Sequence, residues 1–144
     1  MRLVPVLLVA CLASPCFAQG TPTLQSSVFP ADTGVVRRAE TAIFRQLVDT
    51  ATTNLRKLEI HVTTLAPGGA PHAAHRHPWE EILVVQRGRV EVLQRNTTRI
   101  ATAGAVIFQA SGELHGIRNP GPDSATYVVI RIDPHDLPPG GATP

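Results

Sequence analysis

The sequence predicts an all-β domain of the sandwich or barrel type. Over residues 41–133, short runs rich in valine, isoleucine and threonine alternate with turn residues, at the spacing expected of a compact set of short strands. No segment shows a helical period of apolar residues over more than two turns. Aromatic residues make up only 4% of the chain, so we expect a core built from aliphatic side chains.

Eight runs carry the strand pattern, separated by clusters of glycine, proline, serine and asparagine. Arg87-Gly88 is predicted to form a tight hairpin between two of them. One run alternates apolar residues with Glu59, His61 and Thr63, and the pattern does not decide whether His61 faces the barrel or water. The predicted strands are Ala42–Val48, Leu58–Leu65, Glu81–Gln86, Arg89–Leu93, Thr98–Ala101, Ala105–Gln109, Leu114–Arg118 and Ala125–Ile132.

The first 18 residues are expected to be a secretory signal peptide. A positive start at Arg2 is followed by an apolar stretch over 3–13 and by small residues before a cleavage site after Ala18. The apolar stretch is too short to span a bilayer stably. We therefore expect an exported protein, periplasmic or extracellular. A lipoprotein box ending in Cys11 is the weaker alternative and would leave the protein tethered.

Composition limits the chemistry and the partners. Cleavage after Ala18 would remove both cysteines and leave 126 residues, with no disulfide and no thiolate. Lys+Arg exceeds Asp+Glu by two and no basic run stands out, so no nucleic-acid partner is expected. Residues 19–40 are predicted to be an N-terminal arm, 41–133 the folded domain, and 134–144, with four prolines and two glycines, a flexible tail.

A histidine-rich stretch predicts metal binding. Side chains two apart in an extended chain share a face, so His75, His77 and Glu81 are expected to point the same way. Such side chains are costly to bury without a partner, and one metal ion would satisfy all three. His115 follows a glycine turn at the start of a later strand and is a further candidate ligand.

These residues resemble the two sequence motifs of the cupin superfamily. The first motif, G-x5-H-x-H-x3-E-x6-G, is matched at Gly69, His75, His77, Glu81 and Gly88. The second, G-x5-P-x-G-x2-H-x3-N, is matched at Gly104, Gly112, His115 and Asn119, with Ala110 in place of the proline. The resemblance implies a double-stranded β-helix (jelly-roll) barrel, a homodimer, and one divalent transition metal held by His75, His77, Glu81 and His115.

The ligand types do not choose among Fe(II), Mn(II), Ni(II), Zn(II) and Cu(II). Four protein ligands would leave one or two positions for water, an organic anion or dioxygen. We expect a metal-dependent enzyme, such as a dioxygenase, decarboxylase or isomerase, acting on a small carboxylated or enolisable molecule. The alternative is a non-catalytic module that binds a small ligand or the ion alone, since fold does not settle function. The catalytic residues are not evident, and Glu59, His61 and Glu91 are the candidates for an uncommitted acid or base.

Three further residues have two interpretations each. His72 is expected to be exposed in a loop, with a role as a substitute ligand as the alternative. Trp79 is predicted to lie at the pocket mouth or to pack at the barrel edge. Asn119 is predicted to form hydrogen bonds at a strand end or to support the metal site indirectly.

Overall fold

The computed structural model describes residues 23–135, so the expected signal peptide, Cys11 and residues 136–144 lie outside the described part. Residues 23–135 contain nine strands and no helix, and hence no helix that could cross a membrane. The strands are β1 (Val35–Arg38), β2 (Ala42–Thr50), β3 (Leu55–Leu65), β4 (Glu80–Arg87), β5 (Arg89–Gln94), β6 (Thr97–Thr102), β7 (Val106–Gln109), β8 (His115–Arg118) and β9 (Ala125–Pro134).

The strands form two antiparallel sheets. One has six strands in the order β1-β2-β3-β9-β4-β7, and the other has three in the order β6-β5-β8. From β4 onward the chain passes back and forth between the sheets, which is the topology of a double-stranded β-helix and confirms the predicted fold class. All eight predicted strands are present with shifted ends, and β1 is an additional strand inside the expected N-terminal arm.

The predicted hairpin at Arg87-Gly88 is wrong. β4 pairs with β7 and β9, whereas β5 pairs with β6 and β8, so the two strands lie in different sheets. Gly88 has a φ of 75°, and a Cβ there would lie 2.9 Å from the Ser124 carbonyl oxygen and 3.0 Å from the Ala125 Cα. The glycine therefore makes a tight corner between sheets, pressed against the start of β9.

The hydrophobic core lies between the two sheets. Leu65 and Val85 of the six-stranded sheet and Val90 of the three-stranded sheet are almost completely buried in one cluster. Tyr127 is the one aromatic residue of this buried cluster, and the rest is aliphatic, as the composition predicts. Close packing of such side chains fixes the separation of the sheets and hence the size of the space between them.

The inner face of the six-stranded sheet carries a polar row beyond the apolar core. The register pairs Glu59 with Arg131, Arg131 with Glu81, and Glu81 with Gln109. Paired residues on adjacent strands share a face, so these four side chains form one continuous row. His61 lies two residues from Glu59 along β3 and shares its face.

Candidate metal centre

Three histidines meet between the sheets. His75, in the loop before β4, forms a two-way backbone pair with His115, the first residue of β8, with both N–O distances 3.0 Å. This bridge ties the loop to the three-stranded sheet and brings His77 to the same place. One ligand atom from each of the three side chains lies within 4.8 Å of the other two. The cluster is therefore compatible with a metal ion.

Backbone carbonyls determine which ring nitrogen of two of these histidines carries the proton. His77 Nδ1 lies 2.8 Å from the Trp79 carbonyl oxygen, and His115 Nδ1 lies 2.8 Å from the Glu113 carbonyl oxygen. A carbonyl can only accept, so Nδ1 donates and Nε2 keeps its lone pair. This is the arrangement of a metal-binding histidine oriented by its other nitrogen.

Three ring nitrogens at the centre are buried without a hydrogen-bond partner among the described residues. They are Nε2 of His77, Nε2 of His115 and Nδ1 of His75. Buried polar atoms are nearly always satisfied, so three unsatisfied nitrogens in one cluster need an explanation. A metal ion accepting their lone pairs fits them.

Glu81, the predicted fourth ligand, lies at the edge of the three-histidine group rather than in it. Its Oε1 is 3.3 Å from His77 Nε2 and accepts a hydrogen bond of 3.1 Å from Trp79 Nε1. Because His77 donates through Nδ1, its Nε2 and the carboxylate oxygen are two acceptors facing each other. A cation beside both would relieve this contact, and the role of Glu81 as a ligand stays a prediction.

The environment favours the protonation states that bind a metal. Burial is the largest cause that lowers the pKa of His75 and His115, and neighbouring imidazoles lower both further. These two imidazoles are therefore held in the neutral form, which keeps a lone pair for an ion.

Trp79 packs against both the histidine cluster and the partly exposed guanidinium of Arg131. Its ring stacks on His77, with ring centroids 4.5 Å apart and an interplanar angle of 12°, and Arg131 Cζ lies 3.3 Å from its centroid. Arg131 also pairs with Asp133 at 2.8 Å and with Glu59 at 3.7 Å. These contacts support the packing interpretation of Trp79. No local pattern distinguished Arg131 from the other arginines, because its position depends on the β3–β9–β4 pairing.

A cavity of about 60 Å³ adjoins the cluster. It is lined by His75, His115 and Glu81, and also by His61 and Thr63 of β3. The volume corresponds to roughly four water molecules, enough for an ion and the reacting end of a small molecule. His61 thus faces the barrel, which decides the question that the sequence left open.

The two remaining candidates for an acid or base, Glu59 and Glu91, lie on different sheets. Glu59 lies on the same inward face of β3 as His61, with Oε1 3.3 Å from His61 Nδ1. Glu91 instead accepts a 2.9 Å hydrogen bond from Arg118 on the three-stranded sheet and lines a separate groove. His72 is exposed, as expected, although its ring lies edge-on to His75 at 4.4 Å.

Asn119 has the strand-end role that was one of its two predicted roles. It is 1% exposed, and its Nδ2 donates to the carbonyl oxygens of Ala66 at 3.0 Å and Asp123 at 2.7 Å. Its Oδ1 accepts from the Gly121 backbone N–H at 2.9 Å. The side chain therefore ties the turn before β9 to the end of β3.

A family model described as "Cupin domain" matches residues 61–131. This chain carries a cupin domain. Both motifs found in the sequence lie inside the matched region, and the backbone bridge between His75 and His115 joins the first motif to the second. No curated protein matches the chain.

Solved structures share the cupin fold. A predicted oxalate decarboxylase from Thermotoga maritima superposes with a TM-score of 0.63 at 20% identity, covering 74% of this chain and 98% of that one. A Cupin 2 conserved barrel domain protein from Salinispora arenicola gives 0.60 at 24% identity, covering 76% and 90%. The polyketide cyclase RemF from Streptomyces resistomycificus gives 0.61 at 24% identity, covering 81% and 83%. At these identities the likeness is one of fold.

Proposed function

We propose that this cupin holds one divalent transition metal on His75, His77, His115 and Glu81, and acts as a metal-dependent enzyme on a small carboxylated or enolisable molecule. The observation that carries the proposal is the group of three buried imidazole nitrogens that have no hydrogen-bond partner within residues 23–135. A bound Fe, Mn, Ni, Zn or Cu ion would supply Lewis-acid or redox chemistry there.

The chain's own residues have separate tasks in this proposal. The Trp79 and Glu113 carbonyl oxygens orient two imidazoles, and the Trp79 indole orients the Glu81 carboxylate. The cavity, at about 60 Å³, has room for the reacting end of a substrate only. A carboxylate or enol oxygen is a chelating group small enough to enter that space.

Metal content tests the proposal directly. The mature protein, purified through its own export route, is analysed by elemental mass spectrometry beside a His75→Ala/His115→Ala variant. A His135→Ala variant removes a histidine at the end of the described chain and is the matched control. We expect one metal ion per chain in the wild type and the control and none in the double variant. A wild type that stays metal-free after incubation with each of the five candidate ions would refute the metal site.

A non-catalytic binding module is the second candidate, and the small cavity favours it. Space for roughly four water molecules suits an ion with one small anion as well as it suits a reaction. Stoichiometric metal with tight binding of oxalate, but with no turnover of small 2-oxo acids or enolisable ketones, would favour this candidate.

The cupin is also proposed to be a homodimer, supported by the outer face of its six-stranded sheet. In a sheet with one solvated face, the residues that point outward are normally polar. Here the outward positions of the central strands are aliphatic. Val106 and Phe108 at the edge are 68% and 51% exposed. The two outward rows are Ile60, Ile130, Ile82 and Phe108, and Val62, Val128, Val84 and Val106.

Action outside the cytoplasm, in the periplasm or beyond the cell, is proposed on the pattern of residues 1–18. The free form is favoured over a lipid anchor on Cys11, because the apolar run before that cysteine is short. Cell fractionation of the tagged full-length chain tests both points, since an anchored protein would sediment with membranes.

A further inference from the structure

A second histidine–carboxylate pair lies in the barrel, outside the candidate metal centre. His61 and Glu59 point inward from β3, and Nδ1 of the imidazole lies 3.3 Å from Oε1 of the carboxylate. Of the two ring nitrogens, Nδ1 is the buried one. The contact is not aligned as a hydrogen bond among the described residues. An ionised carboxylate at this distance favours a proton on Nδ1 over a lone pair there, which leaves the lone pair on Nε2, the state of a histidine able to accept a proton.

The pair shares a cavity with the histidine cluster. His61 lines the same space of about 60 Å³ as His75, His115 and Glu81. A small molecule held at the cluster would share this space with the His61 ring. No histidine of the candidate metal centre can serve as this base, because the proposed function commits their lone pairs to the ion.

The surroundings hold Glu59 in its charged form. Contact with His61 is the largest cause of a lowered Glu59 pKa, and Lys57 and Arg131 lower it further against the opposing effect of burial. Arg131 lies 3.7 Å and Lys57 lies 3.8 Å from Glu59 Oε2. Lys57 is shared with Asp49, at 2.7 Å. An ionised Glu59 orients the imidazole and stabilises the imidazolium that forms when His61 takes a proton.

We propose that His61, oriented by Glu59, is the proton-transfer residue of this cupin, and that the substrates are small carbonyl compounds with a hydrogen on the carbon next to the carbonyl group. This rests on the proposed function, because the three-histidine cluster is where the carbonyl oxygen would be held. The carbonyl end enters the cavity, and a larger remainder stays outside it.

The chemical step needs no oxidant or other co-reactant. The C–H bond next to the carbonyl breaks, its proton goes to His61 Nε2, its electron pair becomes a carbon–carbon double bond, and the carbonyl π pair moves onto the carbonyl oxygen, which faces the cluster. The imidazolium then returns the proton to the same carbon, and the carbonyl forms again. In a hydroxyketone the proton can instead return to the neighbouring, former carbonyl carbon, while the hydroxyl proton passes to the former carbonyl oxygen and the hydroxyl carbon becomes the new carbonyl. Return to the same carbon exchanges the hydrogen with solvent, and return to the neighbouring carbon isomerises the substrate.

Hydrogen exchange tests this step. The full mature protein is loaded with zinc, which has no redox chemistry, and incubated in D2O with pyruvate or hydroxyacetone while proton NMR follows loss of the C–H signal. We expect His61→Gln to lower the exchange rate by about 10²- to 10⁴-fold with zinc content unchanged. Glu59→Gln should also lower the exchange rate, because the imidazole loses the carboxylate beside Nδ1. Its matched control is Glu91→Gln, which neutralises a glutamate that is paired with an arginine on the other sheet. The control should exchange at the wild-type rate.

A second measurement does not depend on turnover. Nitrogen NMR of the histidine rings, with the His61 signal assigned by its absence in His61→Gln, reports which nitrogen carries the proton. We expect Nδ1–H in the wild type and loss of that preference in Glu59→Gln.

The outcomes separate this inference from the proposed function. Wild-type exchange in His61→Gln, or no exchange of either compound by the zinc-loaded wild type, overturns the inference and leaves the metal site standing. Exchange that depends on His61 in a protein without stoichiometric metal supports the proton-transfer role and refutes the proposed function. A ring spectrum that does not change in Glu59→Gln overturns the orienting role of Glu59.

Discussion

Replacing Trp79 with phenylalanine should weaken metal binding by about tenfold. The change removes the indole N–H that donates to Glu81 Oε1 at 3.1 Å and keeps an aromatic ring beside His77 and Arg131. A hydrogen bond to a charged group contributes roughly 1.5–3 kcal/mol. The Glu81 side chain is 18% exposed, so solvent replaces part of the bond, and the lower end of that range applies. About 1.4 kcal/mol corresponds to a factor of ten in affinity.

Competition with a zinc chelator of known affinity measures this effect on the metal-free protein. Phe44→Leu is the control, because it removes an aromatic ring from the cavity beside the cluster and leaves the hydrogen bond from Trp79 to Glu81 in place. It should leave the zinc affinity within about twofold of the wild type. Thermal unfolding of both variants separates lost stability from lost affinity. If the Trp79→Phe protein binds zinc as tightly as the wild type, the hydrogen bond from Trp79 to Glu81 contributes nothing to zinc affinity.

Three further predictions concern the scaffold. Gly88→Ala should destabilise the fold by roughly 2 kcal/mol more than Gly68→Ala in urea unfolding, because both glycines have positive φ but only Gly88 meets backbone atoms within 3.0 Å. Burial opposes ionisation of Asp133, but Arg56 and Arg131 outweigh it and lower the pKa of Asp133 in the folded protein. The contribution of this carboxylate to the free energy of unfolding is therefore complete above the unfolded pKa of about 3.9 and is lost as the pH falls through the folded pKa. Asp133→Asn should flatten the acid limb of a curve of stability against pH. Val106→Glu should convert a dimer into monomers in light scattering, and a wild type that is itself monomeric at micromolar concentration would contradict the proposed dimer.

The local parts of the fold were predictable from sequence because their signals are local. Strand positions follow from β-branched runs and turn residues, and all eight predicted strands exist. The connection at Gly88 was not predictable, because a one-residue glycine turn suits a hairpin and a corner between sheets equally well. Only the pairing of β4 with β9 and of β5 with β8 decides between them. β1 was missed because its four residues are all exposed and carry no apolar alternation.

The candidate site divides in the same way. The spacing of His75, His77 and Glu81 follows from the period of an extended chain, and the second motif supplied His115 through its resemblance to a known pattern. The position of Glu81 at the edge of the cluster depends on a hydrogen bond from Trp79, and no spacing rule encodes that contact. Arg131 owes its place beside Trp79 to pairing between β9 and β4.

The sequence by itself determined the all-β class, the strand positions and the identity of the histidines that meet, because each depends on residue type and on periods of a few residues. The tertiary structure alone decided which face of β3 is inside. By alternation, Leu58 and Ile60 form an apolar face and Glu59 and His61 a polar one, and a monomeric sheet would be expected to bury the first. The structure turns the face of Glu59 and His61 inward. Leu65 lies on that same face, is completely buried in the core, and so fixes the orientation of the whole strand. That orientation puts His61 in the cavity beside the histidine cluster.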